Sequence, residues 1–279
     1  MQGSPTPYCI VNGELLAGGQ AGFPVSHQSL VDSFGIYETI LVQQGRFFHL
    51  NSHLHRLGES ARILSLDLPA SLDEIGQWCR RLMDTVEGRT GLLRIVSYGS
   101  DGVHGPVCGL YVKPVPPWPA EAYESGVWLA TCQGERTWPL AKSTNCLAQA
   151  LARFQAKRLG AMEGLIVDRH GHITEGSTCN VLAVRDGILL RPLAGTALEG
   201  VTETIALRLA TDLAIPVQHA ALPVSDLSTW DEAFITSTTR RIMPVRRVDD
   251  VTLPASPGPV TARLMAAYRD YESQQGWET

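Results

Sequence analysis

A run of prolines in the first half of the chain constrains the fold more than any other feature. Prolines occupy positions 114, 116, 117 and 119. Proline has a fixed φ and no backbone N–H, so this density stops both a helix and a central strand. The chain's 279 residues are enough for two domains, each with its own core. The sequence therefore predicts domains at residues 1–117 and 126–279, joined by a linker at 118–125.

The first half mixes strand and helix patterns. Residues 8–11 and 14–16 flank Asn12-Gly13, which predicts a hairpin with a tight turn. Ser71 and Glu74 have the spacing of a capping box and predict a helix start. A helix is also predicted from about residue 51, because one apolar stripe recurs every three or four residues, at Leu50, Leu54, Leu57, Ala61 and Leu64.

The second half mixes the same two patterns, so the chain is assigned to the α/β (α+β) class. A helix is predicted from about residue 144 to 159, with Leu147, Leu151 and Phe154 facing inward. Hairpins are predicted on either side of His170-Gly171 and of Asp186-Gly187. Later helices are predicted to start near residue 201 and to run over residues 260–272.

Composition argues against several classes of protein. Hydrophobic residues make up 44% and charged residues 18%, and the net charge is −5, so neither a nucleic acid nor an acidic membrane is expected as a partner. No apolar run is long enough to cross a bilayer, and residues 1–7 lack the pattern of a secretory signal. The six cysteines are scattered without metal-ligand spacing, so we expect reduced thiols, a cytoplasmic location and no metal site.

The chain's three lysines focus attention on one position. Lys113 precedes the proline run and Lys157 lies among other basic residues, whereas Lys142 stands just before a predicted helix. Glu175 ends a predicted strand. An aldehyde cofactor needs a lysine amine for a Schiff base and an acid partner for its pyridine nitrogen. Lys142 and Glu175 are therefore candidates to hold pyridoxal 5'-phosphate, although a lone lysine is more often a solvated surface residue.

Two segments have residues suited to bind a phosphate. Val201-Thr202 begins a predicted helix, where free N–H groups attract an anion, and Ser237-Thr238-Thr239 offers hydroxyls on a turn. Arg56 is a candidate to add a charge with two donors. Each signal is weak alone, because threonine at a helix start is usually only an N-cap. P-loop, dinucleotide-binding and serine-hydrolase motifs do not occur in the sequence.

Several short sequence motifs, in a fixed order, resemble those of the class IV (fold type IV) pyridoxal-phosphate enzymes. They are Tyr37-Glu38-Thr39, His53-Leu54-His55-Arg56, Lys142-Ser143-Thr144-Asn145, the stretch 163–180 that contains Glu175, Leu198-Glu199-Gly200-Val201-Thr202 and the stretch 231–245. That family includes branched-chain and D-amino-acid aminotransferases and aminodeoxychorismate lyases. The resemblance covers nearly the whole chain.

The resemblance implies roles for the matching residues. Lys142 would form the Schiff base and move the proton, and Glu175 would bond the pyridine nitrogen. Tyr37 and Thr239 would face the substrate. The phosphate would be held by Arg56, Val201, Thr202, Ser237 and Thr238. It also implies a small N-terminal α/β domain and a larger C-terminal domain with the cofactor at their interface, in a homodimer.

The sequence does not decide the role of Arg94. It is a charge within an apolar run, which is typical either of an edge strand or of an arginine aimed into a site. Its position is closer to the branched-chain pattern, whereas Tyr37-Glu38-Thr39 looks more like the lyases. The first hypothesis is a transaminase, in which Arg94 and His104 grip a carboxylate and the small-molecule substrates are an amino acid and a 2-oxo acid. The alternatives are a lyase that releases pyruvate and 4-aminobenzoate, and a non-catalytic relative that binds the cofactor.

Overall fold

The protein is described by a computed structural model covering residues 7–18 and 20–279. Residues 1–6, part of the stretch predicted to lack a secretory signal, lie outside the described residues. The strands are β1 (Tyr8–Val11), β2 (Glu14–Ala17), β3 (Gly35–Gln43), β4 (Arg46–Phe48), β5 (Gly91–Tyr98), β6 (Val107–Lys113), β7 (Val127–Gln133), β8 (Glu163–Val167), β9 (Ile173–Gly176), β10 (Asn180–Arg185), β11 (Ile188–Arg191), β12 (Val217–His219), β13 (Glu232–Ser237), β14 (Arg241–Val248), β15 (Val251–Thr252) and β16 (Trp277–Glu278). The helices are α1 (Gln28–Val31), α2 (Leu50–Leu64), α3 (Leu72–Met83), α4 (Glu121–Glu124), α5 (Leu147–Leu159), α6 (Val201–Asp212) and α7 (Pro259–Gln274).

The chain divides into two compact units. The first contains Met1–Pro116, Ala141–Asn145 and Gly276–Thr279, and the second contains Pro117–Leu140 and Cys146–Gln275. The short helix α4 lies in the second unit. The boundaries predicted at residues 117 and 126 stay a prediction, but the placement of Ala141–Asn145 in the first unit matters for Lys142.

The first unit is a sheet with helices packed on it. Its described strands run in the order β16-β4-β3-β5-β6-β1-β2, with antiparallel pairing throughout. Helix α2 packs on β3, and α3 packs on β6 and β1. Leu50 and Leu57 of α2 are fully buried, and each such side chain contributes about 2 kcal/mol of burial free energy. The predicted apolar stripe is thus the face of α2 that forms the core.

Local signals in the first unit are confirmed in detail. Asn12 and Gly13 both have positive φ in the turn between β1 and β2. Ser71 caps α3, because its hydroxyl accepts from the Glu74 N–H while the Glu74 carboxylate accepts from the Ser71 N–H. One reading of Arg94 is wrong: β5 lies between β3 and β6, so Arg94 is not on an edge strand.

The second unit is a mixed sheet with helices against it. Its described strands run in the order β12-β11-β10-β13-β14-β7-β8-β9, and β15 pairs with β14. Parallel pairs join β14 to β7, β7 to β8 and β11 to β12, whereas both predicted hairpins are antiparallel. Helix α5 packs on β7 and β8, and α6 and α7 pack on β13 and β14. The α/β assignment is confirmed in both units.

The predicted orientation of α5 is wrong. Leu147, Leu151 and Phe154 are 68%, 55% and 62% exposed, and the residues that face the sheet are Gln149, Ala152 and Ala156. Small residues let the helix approach closely: a Cβ at Gly164 of β8 would lie 2.4 Å from the Ala152 carbonyl oxygen. The larger apolar side chains therefore occupy the outer face of α5.

Two further observations concern the whole described chain. Within residues 7–18 and 20–279, no helix combines the length and the apolar character that crossing a membrane requires. The six cysteines are free thiols, with Cys146 half-buried and the others buried.

Candidate active site

Lys142 is held in the first unit by main-chain bonds to β3. The Tyr37 N–H donates to the Lys142 carbonyl at 2.9 Å, and the Thr144 N–H donates to the Gly35 carbonyl at 2.8 Å. The Lys142 N–H donates to the Ser60 hydroxyl at 3.0 Å. The segment Ala141–Asn145 therefore lies alongside β3, and hydrogen bonds fix both the N–H and the carbonyl of Lys142.

Tyr37 brings two cations together on one face of the first sheet. The Lys142 Nζ and the Arg94 guanidinium carbon each lie 4.8 Å from the centroid of the Tyr37 ring. Arg94 is opposite Thr39 in the register of β5 and β3, and its Nη1 donates to the Thr39 hydroxyl at 2.8 Å. Its Nε is buried and makes no hydrogen bond to a described residue. This face therefore presents an amine, a phenol and a guanidinium whose Nε–H makes no hydrogen bond to a described residue.

The opposite face of β3 carries a buried ion pair with α2. Glu38 is 0% exposed, and its carboxylate accepts from Arg56 Nε at 2.7 Å, from Arg56 Nη2 at 2.8 Å and from His53 Nδ1 at 2.8 Å. Burial by itself would raise the pKa of Glu38, but the Arg56 and His53 charges and hydrogen bonds lower that pKa well below its ordinary value. Burial lowers the pKa of His53. Glu38 therefore fixes α2 to β3 and sets the position of Tyr37 and Thr39.

In the second unit, Glu175 is a buried carboxylate with one oxygen in use. Its side chain lies on β9, and the residue is 3% exposed. Oε1 accepts from Arg136 Nε at 2.9 Å and from Gln149 Nε2 at 3.0 Å. Oε2 makes no hydrogen bond to any described residue, so the carboxylate keeps an acceptor for a further donor.

The N-cap of α6 is a glycine, Gly200, which has β-type backbone angles and no side chain that could accept from the first N–H groups of the helix. The Glu203 carboxylate caps only the Gly200 N–H, from which it accepts at 3.3 Å. A Cβ at Gly200 would lie 2.0 Å from the Asn180 Oδ1, which explains why glycine is needed. Thr202 is 5% exposed. Val201 and Thr202 thus begin a helix whose free N–H groups suit an anion.

The turn after β13 is supported by a buried ionic network. The Glu163 carboxylate accepts from the Ser177 hydroxyl, from the Thr178 hydroxyl at 2.6 Å and from Arg240 Nη2 at 3.0 Å. Arg240 Nη1 also donates to the Thr178 hydroxyl at 2.8 Å, and its N–H donates to the Ser237 hydroxyl at 3.3 Å. The network therefore joins the loop that follows Glu175 to the turn that holds Ser237, Thr238 and Thr239.

The predicted residues fall into distinct groups. Lys142, Tyr37 and Arg94 meet on one face, whereas Arg56 lies with Glu38 on the other, and its predicted role towards phosphate stays a prediction. The His104 ring instead forms hydrogen bonds with Asp101 and Ser26. Sequence reasoning missed Arg136 and Gln149 beside Glu175, and Glu163 beside Arg240. The only available signal was that Arg240 directly follows the predicted site residue Thr239, because periodicity had placed Gln149 on the outer face of α5.

Comparison with known proteins supports the family that the short sequence motifs indicated. A sequence model described as amino-transferase class IV matches residues 35–248. The chain belongs to the class IV aminotransferase family.

Relatives within the family carry more than one activity. The D-alanine aminotransferase of Staphylococcus aureus strain N315 is 30% identical over 276 residues, which cover 94% of this chain and 96% of that protein. The branched-chain amino acid aminotransferase of Escherichia coli has 26% identity and a TM-score of 0.87, over 98% of this chain and 99% of that one. The 4-amino-4-deoxychorismate lyase of Pseudomonas aeruginosa has 28% identity and a TM-score of 0.82, over 94% and 98%.

The residues of this class IV aminotransferase fit pyridoxal phosphate, the cofactor that the family implies. The open Oε2 of Glu175 suits the protonated nitrogen of a pyridine ring. The start of α6, whose N-cap is a glycine, suits a phosphate. Lys142 supplies an amine whose main chain is fixed. Each of these groups, considered in its own unit, is of a kind that such a cofactor needs.

Proposed function

We propose that this class IV aminotransferase is a pyridoxal-phosphate-dependent transaminase that exchanges an amino group between an amino acid, of the branched-chain or D-type, and a 2-oxo acid. The observation that carries the proposal is the meeting of Lys142 and Arg94 on the Tyr37 ring, each 4.8 Å from its centroid. An amine that moves a proton and a guanidinium that grips a carboxylate are the two groups that a transaminase must present to an amino acid.

Each residue would have a separate task. Bound pyridoxal phosphate supplies an electron-withdrawing ring that makes the substrate's α-proton acidic. Lys142 takes and returns that proton with its ε-amine. Glu175 keeps the pyridine nitrogen protonated through its open oxygen. The phosphate is held by the start of α6 and the nearby turn, at Val201, Thr202, Ser237 and Thr238, with Arg56 as a further candidate.

Substrate orientation is assigned to the face of β3 and β5. Thr39 fixes Arg94 through Nη1 at 2.8 Å, which leaves the buried Nε to donate to a substrate carboxylate. Tyr37 forms the floor between Arg94 and Lys142. Thr239 and His104 remain candidates for further contacts with the substrate.

The attachment of the cofactor is tested by trapping it. Borohydride treatment of the holoenzyme should leave a stable tag on the peptide that contains Lys142. Lys142→Ala should lose both the tag and the activity, whereas Lys157→Ala, a change at an exposed lysine of α5, should keep both. A tag on Lys113 or Lys157 would disprove the assignment.

The reaction is tested with a panel of D- and L-amino acids and either pyruvate or 2-oxoglutarate as acceptor. A 2-oxo acid should form from the donor only when an acceptor is present. Arg94→Gln should raise the substrate KM at least tenfold with little effect on cofactor affinity, on the scale of a lost charge-assisted bond. Arg46→Gln is the matched control, because Arg46 also lies over an aromatic ring, that of Trp277, but at an exposed position.

The lyase is the second candidate, and the likeness to the Pseudomonas aeruginosa lyase favours keeping it. Pyruvate and 4-aminobenzoate released from aminodeoxychorismate without any amino acceptor would identify a lyase. Protein that takes up the cofactor but forms neither a 2-oxo acid nor pyruvate would indicate the third alternative, a non-catalytic relative that binds the cofactor.

A homodimer is part of the proposal, and the outer face of α5 supports it. Leu147, Leu151 and Phe154 are each more than half exposed and follow one another at helical spacing. A two-fold axis would let this face cover itself in a second copy. Phe154→Glu should shift the protein to monomer in sedimentation, and Leu193→Glu, at another exposed leucine, should not.

The cytoplasm is the proposed location. The six free thiols support it, because reduced cysteines persist in a reducing compartment. Fractionation of cells that express the tagged protein from its own promoter would test this.

A further inference from the structure

His27, Asp101 and His104 come together in the first unit. The three ligand atoms they offer lie within 4.8 Å of one another. The two imidazole rings are stacked, with centroids 5.1 Å apart and planes inclined by 18°. His27 is 1% exposed, whereas His104 reaches the surface, so the cluster is anchored inside and open on one side.

The two Nδ1 atoms converge on one carboxylate oxygen. Asp101 Oδ2 lies 3.5 Å from His27 Nδ1 and 2.9 Å from His104 Nδ1. His27 Nδ1 is buried and makes no hydrogen bond to a described residue. A tetrahedral cation bound at about 2.1 Å from each atom needs ligand atoms about 3.4 Å apart, so the first separation already fits and the second needs only a small opening.

The outer nitrogens of both rings already have partners. His27 Nε2 lies 3.2 Å from the Gly105 carbonyl oxygen, and His104 Nε2 lies 3.4 Å from the Ser26 hydroxyl. A ligating histidine characteristically donates its other N–H to such an acceptor, which turns the remaining lone pair towards the metal. Because a carbonyl only accepts, His27 Nε2 carries the proton and the His27 Nδ1 lone pair is available. His104 Nδ1 donates to Asp101 Oδ2, and a bound cation would replace that proton.

The carboxylate is also prepared for ligation. Asp101 Oδ1 accepts from the N–H groups of Val103 and His104, at 2.9 and 2.6 Å, which fixes the orientation of the group. Its other oxygen, Oδ2, accepts from the Gln28 N–H at 2.8 Å and faces the two imidazoles.

We propose that His27 Nδ1, Asp101 Oδ2 and His104 Nδ1 form a site for a divalent transition-metal cation of the Zn²⁺ type. Two imidazoles and one carboxylate with an open fourth position are a ligand set that Zn²⁺ accepts. Sequence spacing did not reveal the set, because His27 lies far along the chain from Asp101 and His104. Gln28, the residue next to His27, is 73 positions before Asp101, to which its N–H donates. A bound cation joins the segment around His27 to the loop around His104.

The test uses untagged holoenzyme treated with a chelator and then dialysed. Titration with Zn²⁺ in a calorimeter should give one equivalent of binding, and Co²⁺ should give the intense visible absorption of a tetrahedral complex. His27→Gln and His104→Gln should each weaken binding by about 100-fold or more, since even an outer partner is worth about 10- to 100-fold. Ser26→Ala, which changes an exposed residue, should weaken it about tenfold through His104.

His172→Gln is the matched control, because His172 Nδ1 lies 3.7 Å from Asp168 Oδ2 at a half-buried position and belongs to no group of three potential ligands among the described residues. It should bind as the wild type does. Binding below one equivalent, or an equal loss in His172→Gln and His27→Gln, would show that the cluster is only a hydrogen-bonded loop. Ser26→Ala decides the matter if either histidine variant fails to fold, because unchanged affinity in that variant also overturns the proposal.

Discussion

Glu38 and Glu175 are both buried and both bonded to an arginine, yet they differ in how many of their oxygens accept hydrogen bonds from the protein. Both oxygens of Glu38 are engaged within the protein: Arg56 donates to Oε1 and Oε2, and His53 and the Thr39 N–H also bond Oε2. Glu175 gives Oε1 to Arg136 and Gln149 and leaves Oε2 without a described partner. A carboxylate with both oxygens engaged fixes structure, whereas one with a spare oxygen can accept from a ligand.

Glu163 sharpens the contrast. Its Oε1 accepts from the Ser177 hydroxyl and the Gly164 N–H, and its Oε2 accepts from the Thr178 hydroxyl and faces Arg240. It therefore resembles Glu38 and not Glu175, although it lies in the same unit as Glu175. All three carboxylates are buried and charged. Glu175, which is proposed to bind the cofactor, differs from Glu38 and Glu163 in having one oxygen without a hydrogen-bond donor among the described residues.

The largest expected effect is on activity. Glu175→Gln should lower kcat/KM by about 100-fold or more, the scale for losing one electrostatic partner of a developing charge. The melting temperature should change little, because the amide oxygen can still accept from Arg136. Steady-state kinetics and thermal unfolding measure the two effects. Near wild-type activity would mean that the open oxygen has no catalytic partner.

The next effect is on stability. Glu38→Gln should lower the free energy of unfolding by about 3–5 kcal/mol, because it leaves the buried Arg56 without its counter-ion. Urea unfolding of the two proteins measures the difference. Glu59→Gln is the control on the same helix: its partner Arg62 is 70% exposed, and no measurable change is expected. Equal effects would mean that the Glu38 ion pair adds no stability.

The pH dependence of unfolding should separate the members of the ion pair. The pKa of His53 is lowered from its ordinary 6.5 and that of Glu38 from 4.5, so both residues favour folding at high pH. Stability should be full above pH 6.5, fall below it as unfolded His53 gains a proton, and fall further below pH 4.5. Glu38→Gln should keep the first decline and lose Glu38's share of the second. Melting temperatures across this range test the order.

The smallest expected effect concerns the hydrogen bond that orients Glu175. Gln149→Leu removes a donor to the carboxylate but also removes the buried Gln149 Oε1, which has no described partner. These changes oppose each other, so the net loss of stability should be about 1 kcal/mol, with activity lowered only a few-fold. Gln155→Leu, at an exposed position of α5, is the control. A loss as large as that of Glu175→Gln would make Gln149 part of the reactive group.

Sequence patterns predicted the features that depend on neighbours in the chain. The Ser71 and Glu74 cap and the Asn12-Gly13 turn need only a few consecutive residues, and both are confirmed. The apolar stripe of α5 was identified correctly as a stripe but assigned to the wrong side. Periodicity locates an apolar face, but whether protein or a partner covers it depends on packing, here on Ala152 and Gly164.

The candidate site shows the same limit. Short motifs pointed to Lys142, Glu175 and Thr202, because each motif is a run of consecutive residues. The side chains that orient them come from far along the chain: 39 residues separate Arg136 from Glu175, and 82 separate Ser60 from Lys142. Such pairs have no signal in one sequence, because only the register of the folded strands and helices brings them together.

The attachment of Ala141–Asn145 to β3 has a practical consequence for gene splitting. A cut at the proline run would encode Lys142 on the C-terminal fragment and its seat, formed by Gly35, Tyr37 and Ser60, on the N-terminal one. Either fragment made alone would carry only part of what the lysine needs. The pair would therefore make a complementation reporter, in which aminotransferase activity returns only when the two polypeptides have bound each other.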